Sequence, residues 1–224
     1  RTKNRAWPRV TPMVPTSFRR VVCRRRHAAL APAILSRMPG SRRMDFGRCL
    51  AGQRRGFISS LLQQKSIPHN ERRSKVLHYP AATIFDVVSD VANYQHFLPY
   101  ITKSQIVTQS REFGNDGRRT FDARMAFGFK FLNDEFLSRV EVVPNRYVVA
   151  KCVESDSMEN MTTLWTFTPR GEDQTEVILR VDMDIFDPLK AGVIAQFFSH
   201  MADAQMEAFE REIARRNEKM TSMA

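Results

Sequence analysis

Apolar positions along the chain recur with a helical period, then a period of two, then a helical period again. Lys75-Val76-Leu77-His78-Tyr79 predicts a short strand closed by Pro80. Within Ala81–Ala92, Ile84, Phe85, Val87, Val88 and Val91 recur at helical spacing, with Thr83 or Asp86 in the first turn. Asn93–Leu98 predicts a second, shorter helix stopped by Pro99. From residue 101 the period becomes two. Ile101–Gln109 is a strand, and Asn115-Asp116-Gly117 is a hairpin turn signal. The clearest alternation follows, with Phe121, Ala123, Met125, Phe127, Phe129 and Phe131 on one face and Asp122, Arg124 and Lys130 on the other. Asn133-Asp134 predicts the next turn and Phe136–Val143 the returning strand. Pro144-Asn145 turns into Tyr147–Val153. Met161–Thr168 carries Trp165 and Phe167, and Glu176–Ile185 puts Val177, Leu179, Val181, Met183 and Ile185 on one side.

After Asp187-Pro188 a stripe of Leu189, Val193, Phe197, Met201, Phe209 and Ile213 predicts a helix to about Arg216, widened by Ile194, Phe198 and Met206. At 1.5 Å per residue its roughly 28 residues span about 40 Å. Pro188 suits its first position and Asp187 its cap. The order is therefore strand, two short helices, six strands and one long helix. A single antiparallel sheet with one apolar face needs a cover, and only the terminal helix is large enough to supply it.

Charge divides the chain at about residue 70. Residues 1–70 hold sixteen Lys/Arg and one acidic residue, Asp45, whereas residues 71–224 hold nineteen basic and twenty-three acidic residues. The net +11 is the sum of a basic leader and a mildly acidic body. An Arg-rich, Ser-containing, acid-poor leader has the composition of a mitochondrial transit peptide, so its charge reads as an address and not as a nucleic-acid footprint. Arg55-Gly56-Phe57-Ile58-Ser59-Ser60 resembles a two-step matrix processing site. It divides the chain into a largely disordered leader, 1–64, and a domain, 65–224. The alternative for the leader is a basic tail that binds RNA or anionic lipid.

No stretch approaches the ~20 apolar residues of a membrane span. Cys23 and Cys49 fall in the leader and Cys152 alone in the body, which offers no disulfide framework there. No Cys/His group has metal spacing and no glycine-rich phosphate loop is present. His78, His96 and His200 are scattered, without a nucleophile at motif spacing. Asp122, Arg124, Asp134 and Glu135 fall on outward or turn positions. Sixteen Phe, fourteen of them after residue 50, and eleven Met give a small domain much smooth apolar surface.

The element order comes with particular phrases. These are Tyr79-Pro80-Ala81 leading into Phe85-Asp86-Val87-Val88-Ser89-Asp90-Val91, then Tyr94-x-x-Phe97-Leu98-Pro99-Tyr100 and Ala126-Phe127-Gly128-Phe129. Ser138-Arg139-Val140, Trp165-x-Phe167 and the Phe-rich last helix follow. Over residues 72 to 217 the chain resembles the polyketide cyclase/dehydrase superfamily and, within it, the mitochondrial coenzyme Q-binding proteins. The bacterial ribosome-associated toxins share much of the pattern.

The resemblance implies an α+β, START-like helix-grip fold: a curved antiparallel sheet of about seven strands around the long terminal helix, with two short helices after the first strand. It implies an apolar cavity for ubiquinone, with no metal, no catalytic residues and no nucleic acid. It also implies a carrier or chaperone role in ubiquinone synthesis and respiration. That role would be peripheral to the matrix side of the inner membrane, with the ubiquinone-synthesis complex as a further partner.

The inward period offers Phe121, Met125, Phe127, Phe129, Phe136, Trp165, Phe167, Val193, Phe197 and Met201 for the pocket, with Phe85, Val88, Phe97 and Leu98 from the short helices. For each of them the alternative is plain core packing. Phe129, Lys130, Phe131 and Leu132, at a hairpin end, are the candidate membrane contact. The competing functions are a ribosome-docking protein and a polyketide-type cyclase. The first wants a basic face, which the acidic body does not offer; the second wants an acid/base-equipped pocket.

Overall fold

Each alternating stretch pairs with its neighbour in sequence, because short turns favour hairpins and paired backbone groups need no water. The computed structural model describes residues 23–24, 67–108, 111–113, 117–129, 132–186 and 188–223. β1 (Ile67–Leu77) leads into α1 (Ala81–Ser89) and a 3-10 helix (Val91–His96). Then come β2 (Ile101–Ile106), β3 (Arg111–Phe113), β4 (Arg118–Phe129), β5 (Leu132–Val143), β6 (Tyr147–Glu154), β7 (Met158–Pro169), β8 (Thr175–Ile185) and α2 (Pro188–Met223). The sheet order is β1-β8-β7-β6-β5-β4-β2, with β3 pairing β4 as well. β2 and β3 lie against successive parts of β4, so the described strands occupy seven lateral positions.

Three elements differ from the sequence reading. β1 starts eight residues before Lys75 and pairs with β8 along its whole length, from Ile67 opposite Ile185 to Leu77 opposite Thr175. Its first half carries no alternation because an edge strand tolerates polar side chains on both faces. The β4–β5 connection lies at residues 130–131, because Phe129 pairs with Leu132. Asn133 and Asp134 are therefore ladder residues, opposite Gly128 and Phe127, and not the turn. A Cβ on Gly128 would sit 3.1 Å from both Asn133 Oδ1 and Thr102 Cγ2, so this glycine serves a close approach of three strands. Finally, α2 runs 36 residues, about 54 Å at 1.5 Å each. Its last turns carry no apolar stripe from which the sequence could have shown them.

The body of α2 is gripped near its C-terminal half. Phe209, 1 % exposed, meets Trp165 edge-on at 4.7 Å and Tyr94 and Phe97 at 5.3 Å each. The Tyr94 hydroxyl donates to the Val88 carbonyl, tying the 3-10 helix back to α1. Ion pairs from Arg73 to Asp203 and from Lys75 to Glu210 hold β1 along the helix.

Beyond Phe209, Glu212 is buried and accepts hydrogen bonds from Arg215 at 2.6 Å and Arg216 at 2.7 Å. Arg216 also reaches Asp90, just past α1, at 2.8 Å. The Arg215 guanidinium above all, with Arg216, holds the Glu212 carboxyl at about 2. A depressed carboxyl stabilises the fold fully above its unfolded value, near 4.5, and loses that contribution as pH falls through the folded value. Glu212→Gln should therefore cost about 2 kcal/mol at neutral pH. Urea midpoints of the two proteins should then converge between pH ~4.5 and ~2. A difference that stays constant over that range would show that Glu212 contributes by shape alone.

Cys23 and Arg24 lie against the β6–β7 turn. The Cys23 N–H donates to Glu159 O at 2.7 Å, Arg24 N–H to Val153 O at 3.0 Å, and Ser155 N–H to Arg24 O at 3.1 Å. Cys23 and Cys152 are both buried free thiols, hydrogen-bonded to each other. That bond and burial push the Cys152 thiol far up.

Candidate functional site: an apolar cavity beside the terminal helix

Inward positions of β4 to β8, the 3-10 helix and the first half of α2 do not meet fully. Between them lies a cavity of about 180 Å³. Five methionines line it, Met125, Met158, Met161, Met183 and Met201, together with Trp165, Phe127, Phe136 and Phe198. Long and flat apolar side chains leave irregular space when packed together, which suits an apolar guest.

One group of polar side chains stands where α2 begins, apart from Thr163 and Gln205 elsewhere on the wall. Lys190, in the first turn of α2, donates from Nζ to Ser157 Oγ at 2.5 Å. Ser155 Oγ receives the N–H groups of Ser157 and Met158 and donates to Asp134 Oδ2 at 2.9 Å. Asp134, Ser157 and Lys190 all line the cavity, and Asn133 joins them. The Lys190–Ser157 bond joins two elements far apart in sequence.

Of the pocket residues expected from sequence, Leu98, Met125, Phe127, Phe136, Trp165 and Met201 line this cavity. Phe85, Val88, Phe121 and Phe167 are buried core away from its wall, Phe85 meeting Phe167 edge-on at 6.2 Å. Phe97 packs on Tyr94 and Phe209, behind the wall. Val193 and Phe197 are half-buried but off the wall, where Lys190, Ile194, Phe198 and Ala202 stand instead. Over its first turns the helix presents the positions one on from Val193 and Phe197, while Met201, Phe209 and Ile213 of the expected stripe face inward. Both phases were apolar, at 193/197 and at 194/198, so periodicity could not choose between them.

Asp134 was expected outside. Alternation from Phe136 turns it inward once it belongs to β5. Asp122, Arg124 and Glu135 do pair on the outer side, Arg139 with Asp122 at 2.9 Å and Arg124 with Glu135 at 3.1 Å. His78, His96 and His200 are exposed. Ser157 and Lys190 were missed, since a lone serine in a turn and a lysine after a helix start carry no signal by themselves.

Of the expected membrane contact, Phe129 is half-buried. Its ring lies 5.0 Å from Tyr100, perpendicular to it, and 5.3 Å from Phe197. Lys130 and Phe131 lie outside the described residues, and of Leu132 only the ladder is described. Among the described residues no helix is long and apolar enough to cross a membrane, and none of their His, Cys, Asp and Glu side chains group to hold a metal ion.

Residues 77–210 match the family described as polyketide cyclase / dehydrase and lipid transport. The chain belongs to that family. Its curved sheet and long helix are the START-like helix-grip arrangement, shared with the Zhui aromatase/cyclase of a Streptomyces species. That structure has a TM-score of 0.57, is 17 % identical, and covers 67 % of this chain and 96 % of its own. Among sequences, the chain is 28 % identical over 180 residues to "Coenzyme Q-binding protein COQ10, mitochondrial" of Drosophila melanogaster, covering 75 % of this chain and 71 % of that one. It is 27 % identical over 138 residues to "Ribosome association toxin RatA" of Pseudomonas aeruginosa, covering 62 % of this chain and 90 % of that one. Proteins similar to this chain thus carry names of a binder and of a ribosome-associated toxin, and an aromatase/cyclase shares its fold, so the cavity has to carry the distinction.

Proposed function

We propose that this protein binds coenzyme Q in the cavity beside α2 and acts as its carrier or chaperone. It would serve synthesis of the quinone and its use in the respiratory chain, and it would not be a catalyst. The observation that carries the reading is the Met- and aromatic-lined cavity in a chain similar to a coenzyme Q-binding protein. A cyclase would want acid/base groups spread over its substrate. Here the charged groups, Asp134 and Lys190, stand together, and most of the remaining wall is apolar, with Thr163 and Gln205 as further polar side chains.

Energetics favour a carrier. Burial of a CH₂ from water is worth ~0.8 kcal/mol, so a five-carbon isoprene unit is worth roughly 4 kcal/mol gross. Ubiquinone, however, starts in a bilayer, and moving its chain from lipid to an apolar wall is nearly neutral. The wall need only match the membrane and offer the ring a donor.

The same reading places the protein in mitochondria, directed by residues 1–64 and peripheral to the matrix side of the inner membrane. The Phe129 hairpin end would make the membrane contact, and the ubiquinone-synthesis machinery would be a partner. A cut near Lys65 would remove Cys23 from its seat beside Cys152, leaving residues 65–224 as the working domain.

Purification followed by organic extraction and mass spectrometry tests the proposal. An isoprenoid quinone should be recovered in near-stoichiometric amount. A protein that stays empty after incubation with quinone-loaded vesicles rules the reading out.

A further inference from the structure

The cavity is small for a long isoprenoid quinone. At about 180 Å³ it exceeds only slightly a cavity of roughly 150 Å³ that admits one benzene ring. It has room for one substituted ring and little of a polyprenyl chain. Its charged lining residues, Asp134 and Lys190, sit together with Ser157, whereas Gln205 stands about four helical turns away, so a polar head is recognised at the Lys190 group.

We infer that the cavity seats the ring, with Lys190 Nζ donating to a ring oxygen, and that the chain leaves past Tyr100 and Phe129. This rests on the coenzyme Q reading above and adds the orientation and the residue that sets it.

Lys190 is held by its bond to Ser157, whose backbone N–H is fixed by Ser155 Oγ, which in turn donates to Asp134. An ammonium and a carboxylate at the same end disfavour an anionic head such as a fatty-acid carboxylate, because repulsion from Asp134 offsets attraction to Lys190. A neutral ring bearing carbonyl and ether oxygens accepts from Lys190 without that conflict, and a charged donor makes the stronger kind of hydrogen bond.

The exit is marked by a second, separate feature. Tyr100 lines the cavity, is partly buried, and has φ 69, a left-handed backbone that a bulky residue rarely adopts. Its carbonyl is held by the Gly128 N–H at 2.8 Å, and its ring stands edge-on to Phe129, which meets Phe197. Three partly buried aromatic rings thus run from the cavity wall across β4 to α2, a surface on which an isoprenoid chain can lie. Constrained backbone of this kind concentrates at ligand-handling positions.

The test uses the full chain with Trp7→Phe, which leaves Trp165, on the cavity wall, as its one indole. Quenching of Trp165 is titrated with the tail-less dimethoxy-methyl-benzoquinone and with the same ring carrying a short isoprenoid chain. A ring-free isoprenoid alcohol serves as competitor. The tail-less quinone should quench saturably, and Lys190→Met should weaken both quinones about tenfold while leaving the alcohol's affinity unchanged. Lys190→Arg should restore part of the loss.

A tail-less quinone that does not quench, with an alcohol that displaces the chain-bearing one, would overturn the orientation. So would an equal loss for all three ligands in Lys190→Met, which would assign the lysine a structural role. If long-chain quinone in vesicles fails to bind the unaltered chain, the coenzyme Q reading itself falls. If it binds and Lys190→Met changes nothing, only the ring assignment falls.

Discussion

Replacing Phe209 with alanine is expected to destabilise the protein by about 3–5 kcal/mol, the largest effect of any single truncation on α2. Phe209 is 1 % exposed and joins three other rings: Trp165 on β7, and Tyr94 and Phe97 at the end of the 3-10 helix. Its loss removes the buried area and leaves a void that these rings cannot all collapse into, since each is held by its own backbone. Because Trp165 also forms cavity wall, the void would join the binding space and loosen whatever the cavity holds. Urea unfolding gives the stability change directly. A cost below about 1 kcal/mol would mean that α2 is not gripped at this point.

The second large effect is on binding. Ala150 on β6 lines the cavity between Val140 on β5 and Thr163 on β7, its ladder partners. Ala150→Phe would put a ring into the open space. Binding of coenzyme Q should fall by more than tenfold, while stability stays within about 1 kcal/mol, because filling a real void does not overpack a core. If the space were already occupied by side chains, the same change would force neighbours off their rotamers and cost about 1–3 kcal/mol. The two outcomes separate a cavity from a tight core in one variant.

The parts of this molecule legible in its sequence are those that a strict period specifies. Phe121, Ala123 and Met125 lie buried on one face of β4, and Val177, Leu179, Val181, Met183 and Ile185 of β8 are buried, as alternation requires. The need of an open sheet for a cover announced α2. Its rotation was not legible, because Val193 and Ile194, like Phe197 and Phe198, are equally apolar and only packing decides which reaches the wall.

The place where β4 ends and β5 begins was obscured by Asn133-Asp134, strong turn formers overruled by the inward register of Phe127 and Phe129. That error hid Asp134. The polar end of the cavity is assembled from β5, the β6–β7 turn and the start of α2. Residues brought together by tertiary structure leave no spacing for a sequence to display.

The central claim is that coenzyme Q lies inside the cavity, and methionine methyl resonances report on this most directly. Met125, Met158, Met161, Met183 and Met201 line the space, whereas Met206 is buried on the same helix but off the wall. With methyl-labelled methionine and quinone supplied in vesicles, the five wall methyls should shift and Met206 should hold its position. Shifts confined to Met206 or to exposed positions, with the five wall methyls unmoved at saturating quinone, would contradict the claim.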